Sequence, residues 1–350
     1  MDSISSIHTF CLDMYKYKKG GIIMTKERNI LVYHHNDLDG YGAAAAVCYG
    51  MKLHASKDVK LNFEFRSISF PTTWETFVND YTEPREFQDI VIVDYSFTVN
   101  NINILKDLVD YVGYTANCVY WIDHHITSVD AKKMLPRYDV DTFKCVSYVN
   151  VNRSGAWLAY EYFTEMDDDD IYNERVPMII RYIDDHDRWI HSYQSSALFN
   201  DAWFCTPELK EPASDEWGAL FNSDTKYLEA LVEKGKIINQ YREMLYEQHR
   251  KFAFEVKIKG FEEYTAIALN DRGNSKCFGD YVKQYDIAVL FHINRPGEVA
   301  MSFYCDPEIL AVKDINVSKI AMQYGGGGHP GAAGCSMSQE QFNEVFIPVE

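Results

Sequence analysis

The chain has 350 residues, 34 of them basic and 52 acidic, for a formal charge of −18 at neutral pH. That balance argues against a protein holding long DNA or RNA, because backbone binding relies on lysine and arginine displacing counterions. With 47% hydrophobic and 25% charged residues the composition is globular rather than disordered, and the length favours two domains.

The first 23 residues carry no apolar core of the kind a signal peptide needs. Met24 opens a conventional lead into a first strand, and Lys19-Gly20-Gly21 could be encoded by a purine-rich ribosome-binding sequence. Residues 1–23 therefore read either as upstream sequence translated as protein or as an N-terminal arm. The run NILVYHH (29–35) is a strand that ends in chemically loaded residues, and the small apolar residues after Gly40 open a helix. DIVIVDYSF (89–97) carries Asp94 directly after four apolar residues, and NCVYWIDHH (117–125) ends in Asp123, His124 and His125. Between them, Ile102, Leu105, Leu108, Val109 and Val112 have helical spacing. Near-continuous apolar strands alternating with helices predict an α/β unit with a parallel sheet, in which ligands bind beyond the carboxyl ends of the strands.

Farther on, RYIDDHDRW (181–189) ends a helical stretch, and Asp167–Asp170 reads as a solvated helix end. The segment 226–252 has the periodicity of one helix of about 27 residues, which at the usual rise is about 40 Å long. Strand-like runs at 264–269, 286–291 and 299–304, a helix near 316–324 and the stretch YGGGGHPGAAG (324–334) predict a second, smaller α/β domain. The expected division is 1–23 as an extension, 24–222, a linker helix over 223–252, and 253–350. The eight cysteines are scattered with no C-x-x-C pair, so they read as mostly buried free thiols in a reducing, cytoplasmic setting. No apolar run approaches the ~18 residues of a membrane span.

His35, Asp37, Asp39, Asp94, His124, His125 and Asp185 all fall at element ends. Mixed imidazole and carboxylate donors suit Mn²⁺, Fe²⁺, Co²⁺ or Zn²⁺, and nothing thiolate is present to favour a softer metal. Seven such groups exceed the needs of one ion and match two, about 3.5–4 Å apart, with Asp94 as the natural bridge because it stands alone at its strand end. Without cations, these carboxylates at one sheet edge would repel each other. Gly40-Tyr-Gly42-Ala-Ala-Ala45 imitates a dinucleotide-binding turn, but Asp37 and Asp39 would repel a pyrophosphate there; the glycines instead allow the helix start to approach a crowded site. The glycine run Gly325–Gly328 offers backbone N–H groups to an anionic oxygen or lets a flat base approach, and His329 can donate to a phosphate.

HNDLDG, VIVDYSF, WIDHH and YIDDHDRW, in that order, resemble the four motifs of the DHH phosphoesterase superfamily, and INVSKIAMQYGGGGHPGAAG resembles the signature of its associated C-terminal domain. The match runs over residues 29 to 335 and is most similar to the oligoribonuclease (nanoRNase) and cyclic-nucleotide phosphodiesterase branch. The resemblance implies a catalytic domain over 24–222, a substrate-binding domain over 253–350 and an active site in the cleft between them. It implies two manganese ions, one held by His35, Asp37 and Asp94 and the other by Asp39, Asp94, His124 and Asp185. His125 would face the scissile phosphate, Asp123 would support the histidines, and a hydroxide between the ions would attack phosphorus. Gly325, Gly326, Gly327, Gly328 and His329 would grip the far phosphate or base. Two departures stand out: Tyr304 occupies a position where relatives commonly carry arginine, and Asp184, Asp185 and Asp187 compete for one ligand position, with Asp185 favoured by alignment and Asp187 second.

The expected activity is metal-dependent hydrolysis of short oligoribonucleotides or of linear or cyclic dinucleotides. A nucleotide 3′-phosphate phosphatase shares the same parts; a non-enzymatic DHH scaffold is the reading from another class, but scaffolds of that kind lose metal ligands, whereas every ligand position here is filled. A family II pyrophosphatase lacks a glycine-loop domain of this type, and alanyl-tRNA synthetases, which share the glycine loop, need an aminoacylation domain that has no place here. The expected partners are short RNA or dinucleotides, with neither long nucleic acid nor membrane; a homodimer is compatible with the sequence, which does not define oligomeric state.

Overall fold

The computed structural model describes residues 27–347 apart from 70–71, 79–82, 114–115, 117, 136–144, 167–174 and 314. The readings placed on residues 1–23 and on the run Asp167–Asp170 lie outside the described residues. The chain divides into two compact units, Met1–Lys236 and Ile237–Glu350.

The first unit contains β1 (Glu27–His35), α1 (Leu38–His54), β2 (Lys60–Ile68), the short α2 (Trp74–Phe77), β3 (Asp89–Val93), α3 (Ile102–Val112), β4 (Cys118–Asp123), α4 (Ile126–Lys133), β5 (Cys145–Val149), α5 (Gly155–Phe163), α6 (Met178–Asp187), α7 (Gln194–Phe204) and α8 (Asp215–Phe221). Its five strands pair in the order β2-β1-β3-β4-β5, all parallel. Successive residues of a strand face opposite sides, and the central strands use both. Ile30, Val32, Val91 and Val93 enter a core with α1, α5 and α6, whereas Leu31, Tyr33, Ile90 and Ile92 enter another with α3. This two-sided burial explains why the central strands read as unbroken apolar runs. The edge strands β2 and β5 are only partly buried, which is why no such run announced them.

Helix α1 is buried along most of its length by small residues, with Ala43, Ala44, Ala45 and Ala46 in the core. A Cβ on Gly50 would lie 2.4 Å from the Phe163 carbonyl oxygen, so that glycine sets how closely α1 and α5 pack. Arg28 at the start of β1 forms a two-pronged, buried ion pair with Asp89 at the start of β3. Removing one partner would leave an uncompensated buried charge, so Asp89→Ala is expected to cost about 3–5 kcal/mol, read as a lowered denaturation midpoint. An unchanged midpoint would mean that water reaches Arg28.

Helix α9 (Thr225–Arg250) spans 26 residues, about 39 Å at the usual rise, and contributes to both units. The second unit adds β6 (Phe254–Ile258), β7 (Ala266–Asn270), β8 (Ile287–Arg295), β9 (Glu298–Tyr304), α10 (Pro307–Lys313), α11 (Val317–Gln323), β10 (Gly327–His329), β11 (Ala332–Ser338), α12 (Gln339–Phe342) and β12 (Phe346–Ile347). Its seven strands run β10-β11-β9-β8-β7-β6-β12, with only β7 and β8 parallel. No described helix is long and apolar enough to cross a membrane. Cys48, Cys118, Cys145, Cys205, Cys277, Cys305 and Cys335 are free thiols, and all but Cys145 and Cys205 are buried.

Candidate metal centre

In the sheet order β2-β1-β3-β4-β5 the chain's direction of winding reverses between β1 and β3. Open parallel sheets bind ligands beyond the carboxyl ends of the strands at that point. His35 ends β1, Asp94 follows β3, and His124 and His125 follow β4. The topology therefore assembles three motifs at the place where the sheet leaves a crevice.

Strand alternation separates the two adjacent histidines of β1. His34 is buried against the edge of Tyr41, with ring centroids 4.5 Å apart, and burial lowers its pKa to about 4, so it packs as a neutral core residue. His35 faces the site, where its Nδ1–H donates to Asp37 Oδ2 at 2.6 Å. That bond, reinforced by the Asp37 charge, raises the His35 pKa. Asp37 also caps α1, accepting from the Gly40 amide at 2.9 Å. A Cβ on Gly40 would sit 2.2 Å from the His35 carbonyl oxygen, so glycine there is required for the helix start to meet the strand end.

Asp39 is buried and accepts from the Gly155 and Ala156 amides, at 2.7 and 2.9 Å, at the start of α5. Helix N-termini favour a carboxylate through these unpaired donors. Its Oδ2 remains 3.6 Å from His124 Nε2. Asp94 lies 3.2 Å from the same nitrogen and is buried, with φ of 51°. The left-handed region is sparsely populated by residues other than glycine but tolerates aspartate, and such strain persists where surrounding contacts over-determine it. Here the Asp94 amide donates to the Ile122 carbonyl at 2.9 Å. Burial, followed by the charges of Asp39, Asp37, Asp187 and Asp123, pushes the Asp94 pKa well above the carboxylate range.

Three groups of donor atoms lie close enough to share an ion: His35, Asp37 and Asp94; Asp94, His124 and His125; and Asp39, His124 and Asp187. Asp94 and His124 each belong to two of them. Among the described residues no lysine or arginine pairs with Asp37, Asp39, Asp94 or Asp187; Arg153 and Arg188 lie instead beside Asp184. Clustered carboxylates without basic partners, two of them buried and next to imidazoles, have the donor chemistry of a divalent-metal centre. The residues fit divalent metal ions.

The fourth motif departs from expectation. The sequence favoured Asp185, but its carboxylate accepts from the Ser192 amide at 2.6 Å, the Tyr193 amide at 3.2 Å and the Ser196 hydroxyl at 2.6 Å. It anchors the loop after α6. Asp184 accepts from the Ser154 amide at 2.7 Å, at the cap of α5, and from Arg188 at 3.2 Å. Asp187 is the acid that reaches the site, 3.6 Å from His124 Nε2, and burial followed by the charges of Asp39 and Asp37 raises its pKa. Helix periodicity decides among the three: neighbours point about 100° apart, and only one of them faces the crevice.

His125 donates through Nδ1–H to Asp123 Oδ1 at 2.8 Å, and Ser128 donates to the other Asp123 oxygen. Burial favours a neutral His125 imidazole, but the Asp123 bond outweighs it and raises the pKa. Asp123 thus orients His125 directly; its link to His124 is only electrostatic.

Gly155 is a site residue that the sequence reading missed. A Cβ there would lie 2.6 Å from Asp94 Cβ and 3.0 Å from Asp39 Oδ2. The signal was a small residue behind the serine cap of a helix, which is too common to notice alone. Gly155→Ala is expected to leave a folded protein whose metal affinity falls about 10- to 100-fold, the range for disturbed ligand supports, measured by titrating metal into chelator-treated protein. Unchanged affinity would show that α5 can move away from the site.

In the second unit the glycine run is partly committed to structure. The Gly325 and Gly326 amides donate to the Met322 and Ala321 carbonyls at 3.2 and 2.9 Å and terminate α11, so the expected cradle of four free amides is not formed. Gly326 and Gly328 also sit against β11, where a Cβ would come within 2.1 Å of the Gly334 carbonyl oxygen and 2.6 Å of the Ala332 carbonyl oxygen. Gly327 has open space where its Cβ would be. His329 ends β10, and its side chain lies outside the described residues. Tyr304 ends β9, partly buried against a cluster containing Leu269, Cys277 and Phe278.

Residues 276–347 match the family model of the DHHA1 domain. The chain is 26% identical to oligoribonuclease NrnB of Bacillus subtilis (strain 168), with 90% of this chain and 74% of that protein covered. These likenesses are to the DHH family, whose associated domain the C-terminal match names. The chain is also 21% identical to the uncharacterised protein R106 of Acanthamoeba polyphaga mimivirus, over 97% of its own length and 73% of the viral protein. Its fold is similar to the solved DHH domain of a protein described as belonging to a family of ribosomal proteins, with a TM-score of 0.58 at 14% identity, covering 97% of this chain and 87% of that one.

Proposed function

We propose that this DHH protein is a divalent-metal phosphodiesterase that releases mononucleotides from short oligoribonucleotides or dinucleotides. The observation that carries the reading is the pair of adjacent imidazole–carboxylate clusters, joined by Asp94, at the sheet's switch point. The name of the NrnB relative supports the substrate class. The strongly negative chain suits a substrate of a few nucleotides, which does not require a basic track.

One ion would be held by His35, Asp37 and Asp94, the other by Asp39, Asp94, His124 and Asp187. Manganese is our reading among the metals that this donor set accepts. When bound, two such ions supply Lewis-acid neutralisation of the phosphate and acidify a water. The chain's own residues do the rest. The α5 amides hold Asp39, and Asp123 holds the His125 ring through Nδ1, which leaves Nε2 to face a phosphate oxygen. In the DHHA1 region, Gly327 and His329 are proposed to contact a distal phosphate or base and Tyr304 to stack on a base where relatives commonly carry arginine, and the free thiols fit a cytoplasmic setting.

The test is incubation with Mn²⁺ and a panel of pApA, a five-nucleotide RNA, cyclic di-AMP, cyclic AMP, adenosine 3′,5′-bisphosphate and pyrophosphate, with products resolved by chromatography. Mononucleotides from pApA and the short RNA are the expected result. Phosphate from the bisphosphate alone would replace the reading with a 3′-phosphatase, and no turnover with metal bound would favour a scaffold.

A further inference from the structure

The loop after α6 is held tightly and yet displays its largest side chain. Asp185 clamps it from both ends of its own residue: the carboxylate takes the Ser192 and Tyr193 amides, and the backbone carbonyl accepts from the Ile190 and His191 amides at 3.0 and 3.4 Å. Within the clamp, Trp189 and His191 have φ of 56° and 54°, conformations that side chains rarely adopt. Trp189 is nevertheless 78% exposed. Among the described residues its one ring neighbour is His191, edge-on at 5.5 Å between centroids. A strained backbone that holds an indole in solvent gains nothing for the core. Trp189 follows Asp187 by two residues, and Asp187 lies 3.6 Å from His124. Ile126, next to His125 on the other motif, is 72% exposed. Exposed apolar residues thus stand one and two positions along the chain from donors of a site otherwise made of carboxylates and imidazoles.

We infer that Trp189 is a stacking platform for the nucleobase attached to the scissile phosphate, an inference that rests on the phosphodiesterase reading of this site. Any base offers a π-face, so stacking gives affinity without sequence preference. A chain of charge −18 has little electrostatic attraction for nucleotides, which leaves stacking and bound cations to provide affinity. The clamped loop fixes where the indole leaves the backbone before substrate arrives, which limits the ordering cost at binding.

The experiment measures dissociation constants of 5′-AMP and ribose 5-phosphate by calorimetry with Mn²⁺ present, on wild type, Trp189→Ala, Trp189→Gly and Trp189→Tyr. Wild type is expected to prefer AMP by roughly 5- to 100-fold, with the ratio near one in the Ala and Gly variants and retained in Tyr. Ala and Gly differ in how they tolerate the left-handed backbone, so equal losses assign the effect to the ring and not to loop strain. On pApA, Trp189→Ala should raise KM by a similar factor with kcat within about twofold. An unchanged ratio in Ala and Gly, or no preference in wild type, overturns the platform. If the ratios behave as expected but wild type cleaves no dinucleotide, the platform stands and the phosphodiesterase reading fails.

Discussion

Replacing Asp94 by asparagine is expected to lower turnover of a dinucleotide by at least about a thousandfold, some 4 kcal/mol of transition-state stabilisation. Asparagine keeps the shape of the side chain and tolerates the left-handed backbone at φ of 51°, so the fold should survive. What it loses is the charge shared by the two donor groups that meet at this residue. Metal content of the purified variant should fall from two ions per chain to one or none. Unchanged turnover would remove Asp94 from the mechanism.

The same substitution has a second, opposite signature. Without metal, burial and the neighbouring carboxylates push the Asp94 pKa well above the carboxylate range. The folded state then holds a proton that the unfolded state has released once pH exceeds about 4. Stability falls with pH wherever the folded state binds more protons. Chelator-treated wild type should therefore melt progressively lower from pH 4 toward 8, and Asp94→Asn should flatten that slope and melt above wild type at pH 8. With Mn²⁺ restored the order should reverse, because ligands that bind only the folded state stabilise it.

Asp187→Ala and Asp185→Ala are expected to fail in different ways, although the two residues are separated by one position in the motif. Asp187→Ala should cost at least about a hundredfold in turnover and weaken one metal site, while the metal-free protein melts no lower than wild type, since a repelled carboxylate has been removed. Asp185→Ala should retain metal and lose stability. It removes the acceptor of the Ser192 and Tyr193 amides, while the Ser196 hydroxyl keeps the Tyr193 carbonyl as a partner, at a cost of about 1–3 kcal/mol and a fall in Tm of roughly 3–10 °C. The swapped outcome, with Asp185→Ala losing metal at unchanged Tm, would restore the choice made by motif alignment.

Much of this protein was legible without coordinates. The strands carrying His35, Asp94 and His124 are buried on both faces, so their apolar runs stand out, and α3 displays its buried face at helical spacing. The long helix was read to within two residues at its end. Strands β2 and β5 were not read, because edge strands bury too little to leave a periodic trace. In the second unit, the glycine run looked like free backbone, since a sequence does not show that α11 uses two of its amides.

By itself the sequence determined that acids and histidines end several strands and helices, because burial of a parallel sheet dictates apolar runs and leaves the chemistry to the residues just past them. The tertiary structure alone decided which of them converge. His34 and His35 are adjacent, but strand alternation sends one into the core and the other to the site. Asp184, Asp185 and Asp187 are nearly equivalent as text, but the helix turns each toward a different partner: the α5 cap, the Trp189 loop and His124. Gly155 entered the site only when α5 came to rest against Asp94. Side-chain direction and close approach are properties of packing, and no local pattern of residue types encodes them.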